Sequence, residues 1–252
     1  DPDADRCALA VPDPTSETGW SPLSGDQIGS LLGEFLASRG MKGSLANSIV
    51  SSRLLSRIAS AHGLEHHTTL TGFKWIARAP GLGFGYEEAI GFCPDPGNVR
   101  DKDGIATSVV AASLVAALKA QGRSVWDELE RLARLHGLHV SSPLTFRVEQ
   151  IEQIASGMAR LRAQPPSVLA GSPVVEVSDL SQGYRGLPPT DGVLVLTEAG
   201  DRVIARPSGT EPKLKCYLEV ILPVAEGEPL PWEQARERLD AIKGAFAEII
   251  GL

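Results

Sequence analysis

Cysteine is scarce in this chain: Cys7, Cys93 and Cys216 are three in 252 residues, far apart and odd in number. That excludes a disulfide scaffold, offers no metal-ligand spacing and suits a reducing cytoplasm. The five histidines share no metal spacing either, and no chemistry is assigned to them. Excess positive charge is missing too. The net charge is −7, so a nucleic-acid partner gets no electrostatic encouragement, and local Arg and Lys clusters are left to serve small anions. No apolar run approaches membrane length, and the acidic first residues are the opposite of a signal peptide. Internal repeats and low-complexity tracts are absent as well.

What remains is a chain long enough for two ordinary domains, with 42% hydrophobic residues to build their cores. Cys7 to Val11 is a short apolar run, read as a buried strand. Ile28, Leu31, Leu32 and Phe35 recur at helical spacing, giving a helix over Gly25 to Arg39. Strands are expected at Ala46 to Val50, His66 to Leu70 and Phe84 to Glu87, alternating with helices. Ile105 to Leu118 is apolar almost all round, so this helix is expected to be buried between layers. Ser124 caps an amphipathic helix that turns Trp126, Leu129, Leu132 and Ala133 inward and Glu128 outward. A boundary is expected near Ser141-Ser142-Pro143. Beyond it lie a helix from Glu149 to Arg162, four short strands and a closing helix carrying Ala235, Leu239, Ile242, Phe246 and Ile249. The fold class is therefore α/β: a layered domain with a mixed, largely parallel sheet, followed by a small α+β domain with an antiparallel sheet.

Four stretches could carry chemistry. In Asp1-Pro2-Asp3-Ala4-Asp5-Arg6, carboxylates at every second position of an extended segment would point to one side and converge on an ion. Oxygen ligands without His or Cys favour Mg²⁺ over Zn²⁺. An EF-hand is excluded by Arg6 and Pro12 at its sixth and twelfth positions. In Gly85-Tyr86-Glu87-Glu88-Ala89-Ile90-Gly91 the adjacent glutamates face opposite ways, so one can accept from sugar hydroxyls while the other faces away. Arg100 and Lys102 precede a helix start, where an anion also gains from free N–H groups. Arg206-Pro207-Ser208-Gly209-Thr210-Glu211-Pro212-Lys213 combines a guanidinium, hydroxyls, a glycine and a lysine between two strands, the strongest phosphate signal in the chain. Lys74, in Thr71-Gly72-Phe73-Lys74-Trp75, is a lone lysine among aromatics, more often a snorkelling side chain than a catalytic one.

DPDADR, TGFKW, GYEEAIG, RDKDG and RPSGTEPK, in this order, resemble the α-D-phosphohexomutase superfamily, most of all the phosphomannomutase/phosphoglucomutase branch that also contains phosphopentomutases. The resemblance spans essentially the whole chain. It implies reversible phosphoryl transfer between the C1 and C6 hydroxyls of a hexose phosphate, with a phosphoserine, Mg²⁺ and a hexose 1,6-bisphosphate primer or intermediate. Asp1, Asp3 and Asp5 would then ligate Mg²⁺, and Arg6 would lie beside the phosphoserine. Lys102, with Arg100, would meet the reactive phosphate, and Lys74 would line the cleft. Glu87 would grip sugar hydroxyls, Ala89 standing where many relatives carry Ser; Glu88 is grouped with the substrate contacts. Arg206, Ser208, Gly209 and Thr210 would hold the other phosphate, with Lys213 nearby.

The family's nucleophile sits in a T-A-S-H-N-P-type loop, and no His-Asn-Pro occurs here. The expectation is thus a C-terminal portion: residues 1–15 ending a metal-binding second domain, 16–142 a third, sugar-binding domain, and 143–252 a phosphate-binding C-terminal domain. Its partners would be a sugar phosphate and the missing N-terminal domains, with no nucleic acid and no membrane. Alone it should not turn over. The competing readings are a non-catalytic sugar-phosphate-binding fragment, a phosphopentomutase and, last, a metal-dependent phosphatase.

Overall fold

A computed structural model describes residues 2–208 and 211–251. The chain forms two compact units, Asp1–His136 and Gly137–Leu252. Among the described residues no single helix is long and apolar enough to cross a membrane.

The first unit opens with a two-stranded hairpin, β1 (Ala10–Pro12) and β2 (Trp20–Pro22), shorter than the buried strand expected from Cys7. Ser24 then closes a capping box with Gln27 and starts α1 (Gly25–Ser38). Five elements follow: β3 (Ser44–Ser48), α2 (Leu54–Ala61), β4 (His66–Thr69), α3 (Phe73–Ile76) and β5 (Leu82–Glu87). The unit finishes with β6 (Gly91–Cys93), α4 (Gly104–Ala120) and α5 (Val125–His136). The sheet order is β4-β3-β5-β6, parallel except for the final hairpin. On one face Leu45, Phe84, Tyr86 and Phe92 pack with Ile28, Leu31 and Leu32 of α1, Leu55 of α2, Leu114 of α4 and Leu132 of α5. The other face carries Ala46 and Cys93 under Phe73 and Ile76 of α3. With β3, β4 and β5 parallel, Ser48, Thr69 and Glu87 lie together at the carboxyl ends of the strands, the end where open α/β sheets hold ligands.

Two expectations about helices are corrected. Helix α4 is not buried all round: Gly104, Thr107, Ala111, Leu114 and Leu118 face the core, while Ile105 and Val109 are 70% and 63% exposed. Residues 104, 107, 111, 114 and 118 alone complete the inward stripe of a helix, so the apolar residues on its back have nothing left to cover. Ile105→Gln should therefore change unfolding free energy by less than about 0.5 kcal/mol in denaturant titration; a loss of several times that would restore the buried reading. Glu128 of α5 is not outward. It is buried and takes Arg123 at 2.5 Å and Arg131 at 2.7 Å. Arg131 in turn meets Glu34, which lies 2.9 Å from His62.

The second unit begins with β7 (Leu138–Arg147), then α6 (Ile151–Ala163), β8 (Val168–Leu169) and β9 (Ser172–Asp179). β10 (Val193–Thr197), β11 (Arg202–Pro207), β12 (Lys213–Leu222) and α7 (Trp232–Ile250) complete it. Its six-stranded sheet is antiparallel in the order β7-β12-β11-β10-β9-β8. Ile154, Met158 and Leu161 of α6 and Leu239, Ile242 and Phe246 of α7 are buried, as are Leu214, Cys216, Leu218 and Val220 of β12. Ser141, Ser142 and Pro143, read as a boundary, lie inside β7. Pro143 pairs with Tyr217 on the sheet's edge strand, where a proline costs least because its missing N–H falls on the solvent side.

Candidate functional site

The acidic loop is a turn, not an extended segment. Pro2 and Asp3 occupy a turn and Ala4 has φ +54°, which breaks the alternation expected of Asp3 and Asp5. Asp1 lies outside the described residues. The loop docks on α4 and β6: Gly104 N–H donates to the Ala4 carbonyl at 3.1 Å, Cys7 N–H to that of Ile90 at 3.1 Å, and Arg6 bridges Gly91. A side chain at Gly104 would put its Cβ 2.5 Å from the Arg6 carbonyl oxygen and 2.6 Å from that of Ala4, so the approach requires glycine. Asp103 accepts from Ala106 N–H at 2.8 Å and caps the start of the helix.

This docking brings three of the expected residues together. Lys102 Nζ lies 2.9 Å from Asp5 Oδ2 and 3.9 Å from Glu87 Oε1. Its hydrogen bond holds the Asp5 carboxyl below the usual carboxylate range, and Asp5 raises the ammonium above its own. Burial pushes the Glu87 carboxyl up, against the pull of Lys102. Asp5 Oδ1 is buried without a hydrogen bond, with Arg6 Nε 3.7 Å away as an ion-pair partner, and a metal ion would supply a closer one. Asp3 is exposed, and among the described residues no three acidic, His or Cys groups gather as a metal set. Arg100 is exposed, as is Lys74, whose Nζ sits 5.7 Å from the centre of the Trp75 ring.

Glu88 turns the other way. Its Oε2 accepts from Ser48 Oγ at 3.1 Å and Ser51 Oγ at 3.0 Å. Beside it, buried Asp26 accepts from Tyr86 O–H at 3.0 Å and Ser52 N–H at 2.7 Å. Two histidines make internal contacts: His139 meets Glu219 in the second unit, and His66 Nε2 lies 3.0 Å from Asn47 Oδ1. Burial lowers the His66 imidazole to about 4, helped by the neighbouring His67.

In the second unit the β11–β12 connection carries the residues expected to form a phosphate loop. Gly209 and Thr210 lie outside the described residues. Ser208 N–H donates to the Lys213 carbonyl at 2.9 Å, which closes the hairpin on the strand side. Register places Arg206 opposite Lys215 and Lys213 opposite Arg147. Because residues 213 and 215 share a face, Arg147, Arg206, Lys213 and Lys215 form a cationic patch at one end of the sheet. Glu211 answers it, 2.6 Å from Lys213 Nζ, its carboxyl held low mainly by that bond and also by Arg147 and Lys215. Like charges directly opposite across a ladder cost stability, so the patch favours an anion. The alternation Lys213-x-Lys215 was a usable sequence signal for Lys215. Arg147 had none, because its neighbour is chosen by strand pairing.

The family described as "Phosphoglucomutase/phosphomannomutase, alpha/beta/alpha domain III" matches residues 24–135, and its "C-terminal domain" matches 149–230. The chain is 43% identical over 221 residues to the "Probable phosphomannomutase" of Haemophilus influenzae, covering 87% of this chain and 44% of that protein. It is 31% identical over 284 residues to the phosphopentomutase of Mus musculus, covering 98% of this chain and 44% of the relative. The phosphoglucomutase parafusin of Paramecium, in its open form, shares the fold with a TM-score of 0.66 at 17% identity, over 92% of this chain and 43% of that one. The chain thus spans less than half the length of the relatives it matches.

Proposed function

Since this chain belongs to the α-D-phosphohexomutase superfamily, we propose that it is the sugar- and phosphate-holding part of a Mg²⁺-dependent phosphohexomutase. That enzyme would be an intramolecular phosphotransferase interconverting the 1- and 6-phosphates of mannose or glucose. The observation that carries the reading is the patch of Arg147, Arg206, Lys213 and Lys215 beside the Ser208 loop, answered by Glu211. A phosphate dianion is the small anion that such a planar fork plus point charges grips best.

In this reading the patch holds the phosphate that does not react. Glu87 accepts from sugar hydroxyls, and Lys102 neutralises the phosphoryl group that does react. Asp1, Asp3 and Asp5 would hold Mg²⁺, a role supported by the unbonded Asp5 oxygen. The ion, when bound, offsets charge on a transferring phosphoryl. Arg6 attends the nucleophile, a phosphoserine supplied by another segment, and a hexose 1,6-bisphosphate primes the cycle. The reading assigns the chain to the cytoplasm, which three free, buried cysteines suit.

Calorimetric titration should give saturable binding of mannose 6-phosphate and glucose 6-phosphate, without mutase turnover by these 252 residues even with glucose 1,6-bisphosphate added. Absence of binding would sink the reading; robust turnover would overturn the division of labour. A pentose-phosphate reading is favoured by Ala89, which leaves Glu87 without a neighbouring hydroxyl, and by the similarity to a phosphopentomutase. Tighter binding of ribose 5-phosphate than of either hexose phosphate would decide for it.

A further inference from the structure

The two adjacent glutamates divide their work. Glu87 faces Lys102, 3.9 Å away, whereas Glu88 reaches back to the end of β3 and takes both serine hydroxyls on one oxygen. Ser48 and Ser51 are each 1% exposed and their oxygens lie 2.9 Å apart, so neither is open to a ligand from solvent. The backbone of Glu88 is held as tightly as its side chain. A Cβ on Gly25, at the start of α1, would lie 2.1 Å from the Glu88 carbonyl oxygen.

This grip sits on a strained hairpin. Glu87 pairs with Gly91 across only Glu88, Ala89 and Ile90, and Ile90 has φ +60°. A β-branched residue in that region is an outlier that persists only where its surroundings over-determine it. Three holds are visible: the serine–Glu88 bonds, the Gly25 contact, and Cys7 N–H on the Ile90 carbonyl at 3.1 Å. The last of these also ties the hairpin to the acidic loop. Gly91, next in line, supports the Lys102 stem, since a Cβ there would come within 2.5 Å of Lys102 Cδ.

We propose that Ser48, Ser51 and Glu88 form a clamp that positions Glu87 and Lys102 for a sugar phosphate. Glu88 is then a positioning residue and not a substrate contact. The inference rests on the functional reading above and adds to it two serines that no motif contains.

The test compares mannose 6-phosphate affinity in the wild type, S48A/S51A, E88A and E88Q, with amide hydrogen exchange. S48A/S51A and E88A should each bind roughly tenfold more weakly, and combining them should add nothing. E88Q keeps an oxygen that can accept both hydroxyls, so it should stay within about twofold of wild type. Exchange at Cys7, whose N–H donates to the Ile90 carbonyl, should quicken in S48A/S51A and stay normal in E88Q. Wild-type affinity in S48A/S51A overturns the clamp, and so does E88Q binding as poorly as E88A, which would mark a direct charge contact. Unchanged exchange overturns it whatever the ligand does. If the wild type, E87A and R206A all bind alike, the functional reading has failed instead, and the exchange result still judges the clamp.

Discussion

Arg206→Ala should weaken mannose 6-phosphate binding by roughly 10- to 100-fold, the value of one hydrogen bond to a charged group. Arg206 faces Lys215 across the β11–β12 ladder, with Arg147 and Lys213 beside them. Of the four, the Arg206 fork adjoins the Ser208 loop, so it can grip two phosphate oxygens at once. Arg206→Lys keeps the charge and loses the fork, and should fall between the two. What separates this from damage to the fold is stability. Removing one of four crowded cations relieves repulsion, so the melting temperature should hold or rise while affinity falls. Raising ionic strength should weaken binding in the wild type more than in the variant, because fewer charges remain to be screened. Equal binding by wild type and variant would dismiss the patch as a phosphate site.

Acidification from pH 7 to pH 4 should cost about 3 kcal/mol of stability through His66 alone. Burial lowers its imidazole from the ordinary 6.5 to about 4. Below 6.5 the unfolded chain takes up a proton that the folded chain refuses, so stability falls with pH between 6.5 and about 4 and is flat above. Asn47 Oδ1, 3.0 Å from Nε2, is satisfied by the N–H of the neutral ring without a positive charge. His66→Gln offers an amide N–H to the same oxygen but cannot titrate. Urea titrations at pH 7, 5.5 and 4.5 should therefore converge for this variant relative to wild type. Parallel curves for the two proteins would remove His66 as the source.

Most of the architecture was legible because it is written in periodicity. The α1 pattern of Ile28, Leu31 and Leu32 is one face of a helix, and all three are buried. The errors have physical causes. Strand β7 alternates Leu138, Val140, Leu144 and Phe146 with polar residues, yet Pro143 punctuates it and reads as a boundary. Helix α4 is apolar on both sides, and sequence alone cannot say which side meets a core. The acidic loop looked period-two, but alternation holds only for extended backbone, and Ala4 is left-handed. At the candidate site, Glu87 and Lys102 were found from their own motifs, whereas their meeting with Asp5 depends on Gly104 allowing the loop to approach. Ser48, Ser51 and Arg147 belong to no local pattern. They were missed because strand pairing and loop packing, not spacing, make them neighbours.

Pro143 has one more consequence. A free sheet edge is a template on which another chain can add a strand, and β7 offers ten residues of it. A proline near its middle removes a donor from that row, so an incoming strand meets a gap and cannot zip along the edge unbroken. At the opposite edge β8 has only two residues, too few to seed a ladder. The sheet that carries the cationic patch is thereby guarded at both margins against self-association into fibrils, a safeguard that costs the patch itself nothing.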